Sequence, residues 1–214
     1  MEPQNNRKSS VSPPRLLLFD LGGVLVRLTG VPRMLELTAN RYTVAQLWEK
    51  WIASPVIRLY ESGRMTTGDF GRRIVEEFAM DIAPAKYLEE FTVWPAGKYP
   101  GVNDLLEALK QDFTIASLSN TNELHWNRIC NEMDFIHLFD FNFPSHLTGL
   151  LKPDRETYLN VSGTTGISPD SILFFDDNSV NVDGARNCGL QAVRVDGMPS
   201  LTAHLTVSGL LRSR

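Results

Sequence analysis

The sequence has few cysteines, and they are not arranged for a metal site or a disulfide framework. Only Cys130 and Cys188 occur among 214 residues, and they are far apart, without C-x-x-C spacing. A zinc site of the usual kind needs closely spaced cysteine or histidine pairs, and small disulfide-stapled domains need more cysteines. We therefore expect a protein of the reducing cytoplasm.

Long apolar runs and an excess of positive charge are also lacking. No run of about 18 apolar residues predicts a membrane span, and residues 1–14, which lack the apolar stretch of a signal peptide, are expected to form a disordered tail. The formal net charge is -4, which gives little attraction for a nucleic-acid backbone. We expect a monomer or homodimer that binds neither nucleic acid nor membrane.

Short apolar runs that end in polar residues are the main pattern of the chain. They predict strands over residues 15–20, 113–119, 139–143, 171–176 and 191–195, with helical patterns between them over 102–110, 122–133, 155–162 and 180–188. Continuous apolar strands that alternate with helices are typical of a parallel sheet covered on both faces. The sequence therefore predicts an α/β fold with a doubly wound, Rossmann-like sheet.

A long segment separates the first strand from the rest of this pattern. It carries helical patterns over residues 43–52 and 67–78 and is too long for an ordinary crossover. We predict a small helical cap domain over 29–97, inserted into a core domain of 15–28 and 98–214. One helical face of the cap carries Leu47, Trp48, Trp51 and Ile52, and we expect these side chains in the cap core. Because a cap of this kind forms the roof of the site, one of these aromatic side chains could instead stack on the substrate.

Four polar clusters follow the predicted strands: Asp20-Leu-Gly-Gly-Val, Ser119-Asn-Thr-Asn, Lys152-Pro-Asp and Asp176-Asp-Asn. Ligands of such sheets bind beyond the carboxyl ends of the strands, so these clusters should share one crevice. In order and spacing they resemble the four signature motifs of the haloacid dehalogenase superfamily. The first and last clusters and the segment Tyr60-Glu-Ser-Gly-Arg-Met are similar to its branch of glucose-1-phosphate phosphatases and epoxide-hydrolase N-terminal phosphatase domains.

This resemblance implies a Mg²⁺-dependent phosphatase. Asp20 corresponds to the nucleophile, a carboxylate that attacks phosphorus and forms an aspartyl-phosphate. Mg²⁺, which prefers hard oxygen ligands, would be held by Asp20, Asp177 and the backbone carbonyl of Gly22, with Asp176 close by.

The resemblance also implies a phosphate-binding set around the nucleophile: Ser119, Asn120, Thr121, Lys152, Gly22 and Gly23. The Ser119 hydroxyl and the next two backbone amides would donate to the phosphoryl oxygens. Lys152 would act in catalysis by bringing a positive charge to the phosphate and to Asp20.

Two positions depart from the family pattern. The common second aspartate, which serves as general acid, is replaced by Gly22, and a distal aspartate is replaced by Asn181. Proton transfer of this kind contributes about 10² to 10⁴ in rate. Three alternatives remain open: the leaving group needs little protonation, a cap residue (Glu61, Asp69 or Arg64) supplies the proton, or the protein turns over slowly or not at all.

The expected substrate is a small phosphorylated metabolite, with a sugar phosphate such as glucose 1-phosphate favoured by the resemblance. One alternative is a regulatory protein that binds phosphate without turnover, and another is a haloacid dehalogenase that releases halide without Mg²⁺. The histidines form no recognised ligand pair, and His125, beside the phosphate loop, is expected to be structural.

Overall fold

The computed structural model describes residues 12–211. Its strands are β1 (Leu16–Phe19), β2 (Val26–Leu28), β3 (Pro95–Lys98), β4 (Thr114–Ser119), β5 (Phe141–Pro144), β6 (Ile172–Asp176) and β7 (Gln191–Arg194). Its helices are α1 (Gly30–Leu37), α2 (Val44–Ala53), α3 (Pro55–Glu61), α4 (Thr67–Glu77), α5 (Pro84–Thr92), α6 (Val102–Leu109), α7 (Glu123–Glu132), α8 (Ser145–Thr148), α9 (Arg155–Thr165), α10 (Ser179–Asn187) and α11 (Gly197–Val207).

Five strands form one parallel sheet in the order β5-β4-β1-β6-β7. The central strand β1 is fully buried, and Leu17 lies opposite Ile115 on one side and Leu173 on the other. Alternate residues of β1 point to opposite faces, so Leu17 and Phe19 pack on one apolar core and Leu16 and Leu18 on a second. The predicted doubly wound α/β fold, including all five strands, is confirmed.

The long segment between β1 and β4 folds mainly as helices. The predicted helices over 43–52 and 67–78 correspond to α2 and α4, while α1, α3 and α5 had no prediction. These helices share an aromatic core in which Tyr60 stacks on Phe70 with ring centroids 4.1 Å apart. The insertion therefore has a hydrophobic core of its own, and the boundaries at 28/29 and 97/98 stay a prediction.

A short antiparallel ribbon, which the sequence did not predict, carries the chain into and out of this helical insertion. Strands β2 and β3 pair Val26 with Lys98 and Arg27 with Gly97. Two strands of three and four residues, one beginning with proline, are too short to give a clear alternation of apolar residues. The ribbon holds the segment that enters the helical insertion next to the segment that leaves it.

Two sequence predictions concern the chain ends and the membrane. Residues 1–11 of the predicted tail lie outside the described residues, and Ser12 donates a hydrogen bond to Asp170 and accepts one from Gln191. No helix within residues 12–211 combines the length and the apolar character that crossing a membrane would need.

Candidate active site

The carboxyl ends of β1, β4 and β6 open into a cavity of about 590 Å³ between the sheet and the helical insertion. Most of the predicted site residues line it, namely Asp20, Gly22, Ser119, Asn120, Thr121, Lys152 and Asp177. Gly23 and Asp176 belong to the same loops but lie behind the cavity surface. The four motifs therefore meet in one place, as the parallel sheet requires.

Three carboxylates and one ammonium group form the floor of this cavity. Asp20, Asp176 and Asp177 each place an oxygen within 4.8 Å of the others. The buried Lys152 Nζ lies 2.9 Å from Asp20 Oδ1 and 2.6 Å from Asp176 Oδ2. One lysine thus pairs with two of three acids, and the cluster keeps an excess of negative charge.

The pKa values in the cluster reflect this excess. Burial raises the pKa of Asp20 to about 8 against the opposing effect of Lys152, and Asp176 and Asp177 raise it further. Burial and then Asp176 raise the pKa of Asp177 to about 6. Burial lowers the pKa of Lys152, but the combined attraction of Asp176 and Asp20 has a larger effect, so the pKa is raised overall. The donor set, carboxylate oxygens with unbalanced negative charge, fits a hard divalent cation.

The two adjacent acids of the last motif have different surroundings. Asp176 accepts hydrogen bonds from Lys152 Nζ, from the Asn178 backbone amide (2.8 Å) and from Asn181 Nδ2 (3.1 Å to each oxygen). Its oxygens are thus occupied by protein donors, whereas the half-buried Asp177 lines the cavity. An aspartate in place of Asn181 would present a like charge to Asp176, whereas the amide donates to it.

Gly23 allows Asp177 to approach the nucleophile loop. Its φ of +74° lies in the left-handed region, and a Cβ added there would come 2.2 Å from Asp177 Oδ2. A side chain at this position would therefore be strained and would displace the carboxylate. The structure places Gly23 against Asp177, and its predicted contact with phosphate remains a prediction.

The loop after β4 differs in part from the sequence prediction. The Ser119 hydroxyl has no hydrogen-bond partner among residues 12–211 and lines the cavity. Asn120 clamps the Lys152 backbone, since its Oδ1 accepts from the Lys152 amide and its Nδ2 donates to the Lys152 carbonyl, both at 2.9 Å. The Thr121 amide, expected to donate to phosphate, donates instead to Ser145 Oγ at 2.9 Å.

Ser145, which sequence reasoning missed, joins this loop to the helical insertion. Its Oγ lies 2.6 Å from the Glu61 carbonyl oxygen and 3.0 Å from the Thr121 carbonyl oxygen, and it accepts from the Thr121 amide. It follows the short edge strand β5, and no motif marks it because its partners are distant in sequence.

Among the three proton donors considered from the sequence, only Glu61 reaches the cavity. Burial raises the pKa of its carboxyl group to about 7, against Lys152 and a hydrogen bond from Trp51, which lower it. Asp69 is exposed and pairs with Thr66 and Arg72, and Arg64 does not line the cavity. Glu61 is therefore the acid of the insertion that lines the same cavity as the predicted nucleophile.

The helical insertion is tied to the sheet domain by polar contacts around the cavity. Arg58 forms an ion pair with Asp154. His125 Nε2 lies 2.8 Å from the Phe91 carbonyl oxygen, and its Nδ1 lies 3.2 Å from Asn122 Nδ2. Burial lowers the pKa of His125 to about 4, so the ring is neutral near pH 7. These contacts give His125 a structural role, in agreement with the expectation from the sequence.

A family comparison covers the part of the chain that contains all four motifs. The haloacid dehalogenase-like hydrolase family matches residues 14–189. The chain belongs to this family. As a haloacid dehalogenase-like hydrolase, it carries Asp20, Ser119, Lys152 and Asp177 within the part of the chain that the family matches.

Two curated relatives and one solved structure of a similar protein agree with this assignment. It is 28% identical over 191 residues to phosphoglycolate phosphatase of Pseudomonas putida, covering 84% of this chain and 68% of that protein. It is 31% identical over 111 residues to a flavin mononucleotide hydrolase of Arabidopsis thaliana, covering 51% of this chain and 45% of that protein. A haloacid dehalogenase family enzyme of Bacteroides thetaiotaomicron, solved with magnesium and inorganic phosphate, has a TM-score of 0.70 at 25% identity, covering 85% of this chain and 94% of that chain.

Proposed function

We propose that the protein is a Mg²⁺-dependent phosphatase that hydrolyses small phosphorylated compounds through an aspartyl-phosphate on Asp20. The observation that carries this proposal is the cavity floor, where Lys152 bridges Asp20 and Asp176 and Asp177 stands beside them. The Pseudomonas and Arabidopsis relatives, whose names are those of phosphate-ester hydrolases, support the same reaction class.

In the first step, an Asp20 oxygen forms a bond to phosphorus while the bond from phosphorus to the ester oxygen breaks. Lys152 favours the ionised form of Asp20 against the effect of burial and offsets charge between two anions, and the unpaired Ser119 hydroxyl donates to a phosphoryl oxygen. In the second step, water attacks the aspartyl-phosphate, which releases inorganic phosphate and restores Asp20.

Asp20, Asp177 and the Gly22 carbonyl would hold the Mg²⁺ ion, which when bound offsets the negative charge of the phosphoryl group and the nucleophile. Asp176 was expected near the metal. Because its oxygens already accept from Lys152, Asn178 and Asn181, we propose that it orients Lys152. An orienting partner of this kind fixes a charged group without touching the substrate.

The proposed metal requirement can be tested by chelation. Protein treated with EDTA is expected to release no phosphate from acetyl phosphate or p-nitrophenyl phosphate, and added Mg²⁺ is expected to restore release. Equal rates with and without Mg²⁺ would contradict the proposed cofactor. Halide release from 2-chloropropionate would favour the dehalogenase alternative, and phosphate binding in calorimetry without any turnover would favour a binding protein.

Glu61 is the proposed general acid in place of the missing aspartate at Gly22. It ends α3, lines the cavity and lies close enough to Lys152 to feel its charge. A carboxyl group with its pKa near 7 is suited to give a proton to a leaving alcohol at neutral pH. After this transfer, the same group can accept the proton of the attacking water.

Glu61→Gln is expected to lower the rate with an alkyl phosphate about a hundredfold, because an alkoxide needs protonation, but to lower it much less with acetyl phosphate. The acid form of Glu61 is lost as the pH rises through about 7, so the ratio of the wild-type rate to the rate of the variant should fall above that pH, while ionisation of Asp20 affects both proteins alike. Lys152 faces Glu61 from the sheet domain, and Arg58 lies on the same helix.

The rate of phosphate release measured from pH 5 to 9 with both substrates tests this role of Glu61. Glu76→Gln is the matched control, since Glu76 is exposed on α4 in the same helical insertion. Equal losses with both substrates, or an unchanged pH profile in Glu61→Gln, would argue against a proton donor at this position.

The alcohol part of the substrate is a separate proposal. Glucose 1-phosphate, favoured by the sequence resemblance, remains one candidate. The names of the two curated relatives refer to phosphoglycolate and to flavin mononucleotide, which share a phosphate monoester and differ in everything attached to it. They therefore support hydrolysis of a phosphate monoester, whereas the identity of the alcohol part has to be argued from the residues that line the cavity.

A further inference from the structure

The cavity has two chemically different halves. The charged residues Asp20, Lys152 and Asp177 lie at its floor, where a phosphoryl group would be attacked. The roof and walls come from the ribbon and the helical insertion and are dominated by large apolar side chains: Leu28, Met34, Trp48, Trp51, Ile52 and Trp94. Since the phosphoryl group occupies the floor, the group attached to it must occupy the apolar half.

Arg58 and Glu61 are the charged side chains of the insertion that line the cavity. Arg58 pairs with Asp154 across the domain boundary, and Trp51 and Lys152 lie close enough to Glu61 to lower its pKa against the effect of burial. His125, on α7 of the sheet domain, also lines the cavity, and both of its ring nitrogens have protein neighbours at hydrogen-bond distance. The Trp94 indole nitrogen is a buried donor without a partner within residues 12–211. Two charged groups and the indole nitrogens are a small polar set for the several hydroxyls of a sugar, and unpaired buried hydroxyls are costly.

The apolar wall is also held in a fixed shape. Trp94 packs against Phe91 with ring centroids 4.8 Å apart and against Trp51 at 5.7 Å. Helix α1 begins directly on the Trp94 ring, because Gly30 has no side chain and a Cβ there would come 2.1 Å from the indole. A fixed apolar surface loses little freedom when a ligand packs on it, which favours binding.

A further part of the wall is open to solvent in the free protein. Leu47 is 3% exposed, as expected for the cap core, whereas Trp48 is 41% exposed and Ile52 is 55% exposed. The prediction that these four residues form the cap core is therefore wrong for Trp48 and Ile52. Both line the cavity, so an apolar ligand would cover surface that now contacts water.

From these observations we infer that the substrate is a phosphate monoester of a bulky, largely apolar alcohol, whose hydrocarbon part packs on Trp48, Trp51 and Trp94. This inference rests on the proposed phosphatase function and adds its substrate class. A cavity of about 590 Å³ holds far more than a phosphoryl group, and its apolar half gives the hydrocarbon part a site of matching chemistry.

The test is a series of linear alkyl phosphates from ethyl to octyl, in which the leaving alcohol changes little in acidity while its apolar surface grows. The value of kcat/KM is expected to rise about two- to fourfold for each added methylene until the cavity is filled. Glucose 1-phosphate and glucose 6-phosphate should be poorer substrates than hexyl phosphate. Trp48→Ala should flatten the dependence on chain length, whereas Val207→Ala, at a 90% exposed position of α11, should not change it.

Binding of the matching alkylphosphonates provides a measurement that does not require turnover. Three of the four tryptophans line the cavity, so intrinsic fluorescence should report binding, with affinity rising along the series. If the sugar phosphates are preferred, or the alkyl series is flat while p-nitrophenyl phosphate is hydrolysed, the apolar substrate class is wrong and the phosphatase stands. If alkylphosphonates bind progressively tighter but no phosphate is released from any ester, the apolar site stands and the phosphatase is wrong.

Discussion

Asp20→Asn is expected to slow phosphate release at least about a thousandfold, since a carboxamide cannot form the aspartyl-phosphate. The same change should not lower the free energy of unfolding. Burial and two neighbouring acids raise the pKa of Asp20, so a neutral group of the same shape relieves repulsion, and Lys152 keeps its pair with Asp176. Phosphate release with Mg²⁺ and urea unfolding of both proteins give the two readouts.

Asp183→Asn is the matched control for this substitution. Asp183 lies on α10 with a largely exposed side chain that pairs with Arg186. Its rate of phosphate release should equal that of the wild-type protein. If Asp20→Asn released phosphate as fast as this control, the assignment of Asp20 as nucleophile would be wrong.

Lys152→Met is expected to reduce both stability and activity. The side chain is 1% exposed and its ammonium group contacts Asp20 and Asp176, so methionine would leave two buried carboxylates without their cation. Removal of one partner from a buried ion pair costs about 3–5 kcal/mol of the free energy of unfolding. The rate should fall by about 10² or more, because a positive charge aimed at the phosphoryl group is lost.

Urea unfolding and phosphate release, both measured at a temperature where the variant is folded, separate the two effects of Lys152→Met. Lys86→Met is the matched control, because Lys86 forms an exposed pair with Glu89, and such pairs contribute little to stability. A folded Lys152→Met variant with the wild-type rate would show that Lys152 supports the fold alone and would remove it from the mechanism.

The sheet could be predicted because its signals are local. Strands β1, β4 and β6 are continuous apolar runs that end in polar residues, and a strand buried on both faces leaves this pattern in any sequence. Helix α11 was not predicted, since glycine and proline open it and its apolar residues form no clear stripe. It is a helix nonetheless because Leu201 and Leu205 pack into the sheet core.

The chemical groups of the site could be predicted because each lies within a recognisable motif. Asp20 and Asp177 directly follow β1 and β6, as predicted, whereas Lys152 lies in the loop between α8 and α9 and not at the end of a strand. The hydrogen-bond partners of the neighbouring residues could not be predicted in the same way. The Thr121 amide was expected to bind phosphate, but Ser145, 24 positions further along the chain, accepts its hydrogen bond. Such a contact depends on how two loops approach each other, and no spacing rule describes it.

The apolar character of the cavity is likewise a property of the folded chain. Its walls come from separate elements, with Leu28 on β2, Met34 on α1, Trp48 on α2 and Trp94 before β3. In the sequence, Trp48 falls on the same helical face as the buried Leu47, so periodicity alone assigned both to a core. Only the position of α2 above the strand ends separates them.

The Ser145 hydroxyl has two acceptors within reach, the Glu61 carbonyl of the insertion and the Thr121 carbonyl of the phosphate loop. A hydroxyl carries one proton, so it can donate to only one of these carbonyls at a time, and rotation about the Cβ–Oγ bond carries the proton from one to the other. If either contact were lost, the donor would keep a partner, and the desolvation penalty of an unpaired buried hydroxyl would be avoided. One side chain thus links the insertion to the loop after β4 through a donor that has a second acceptor on the sheet domain.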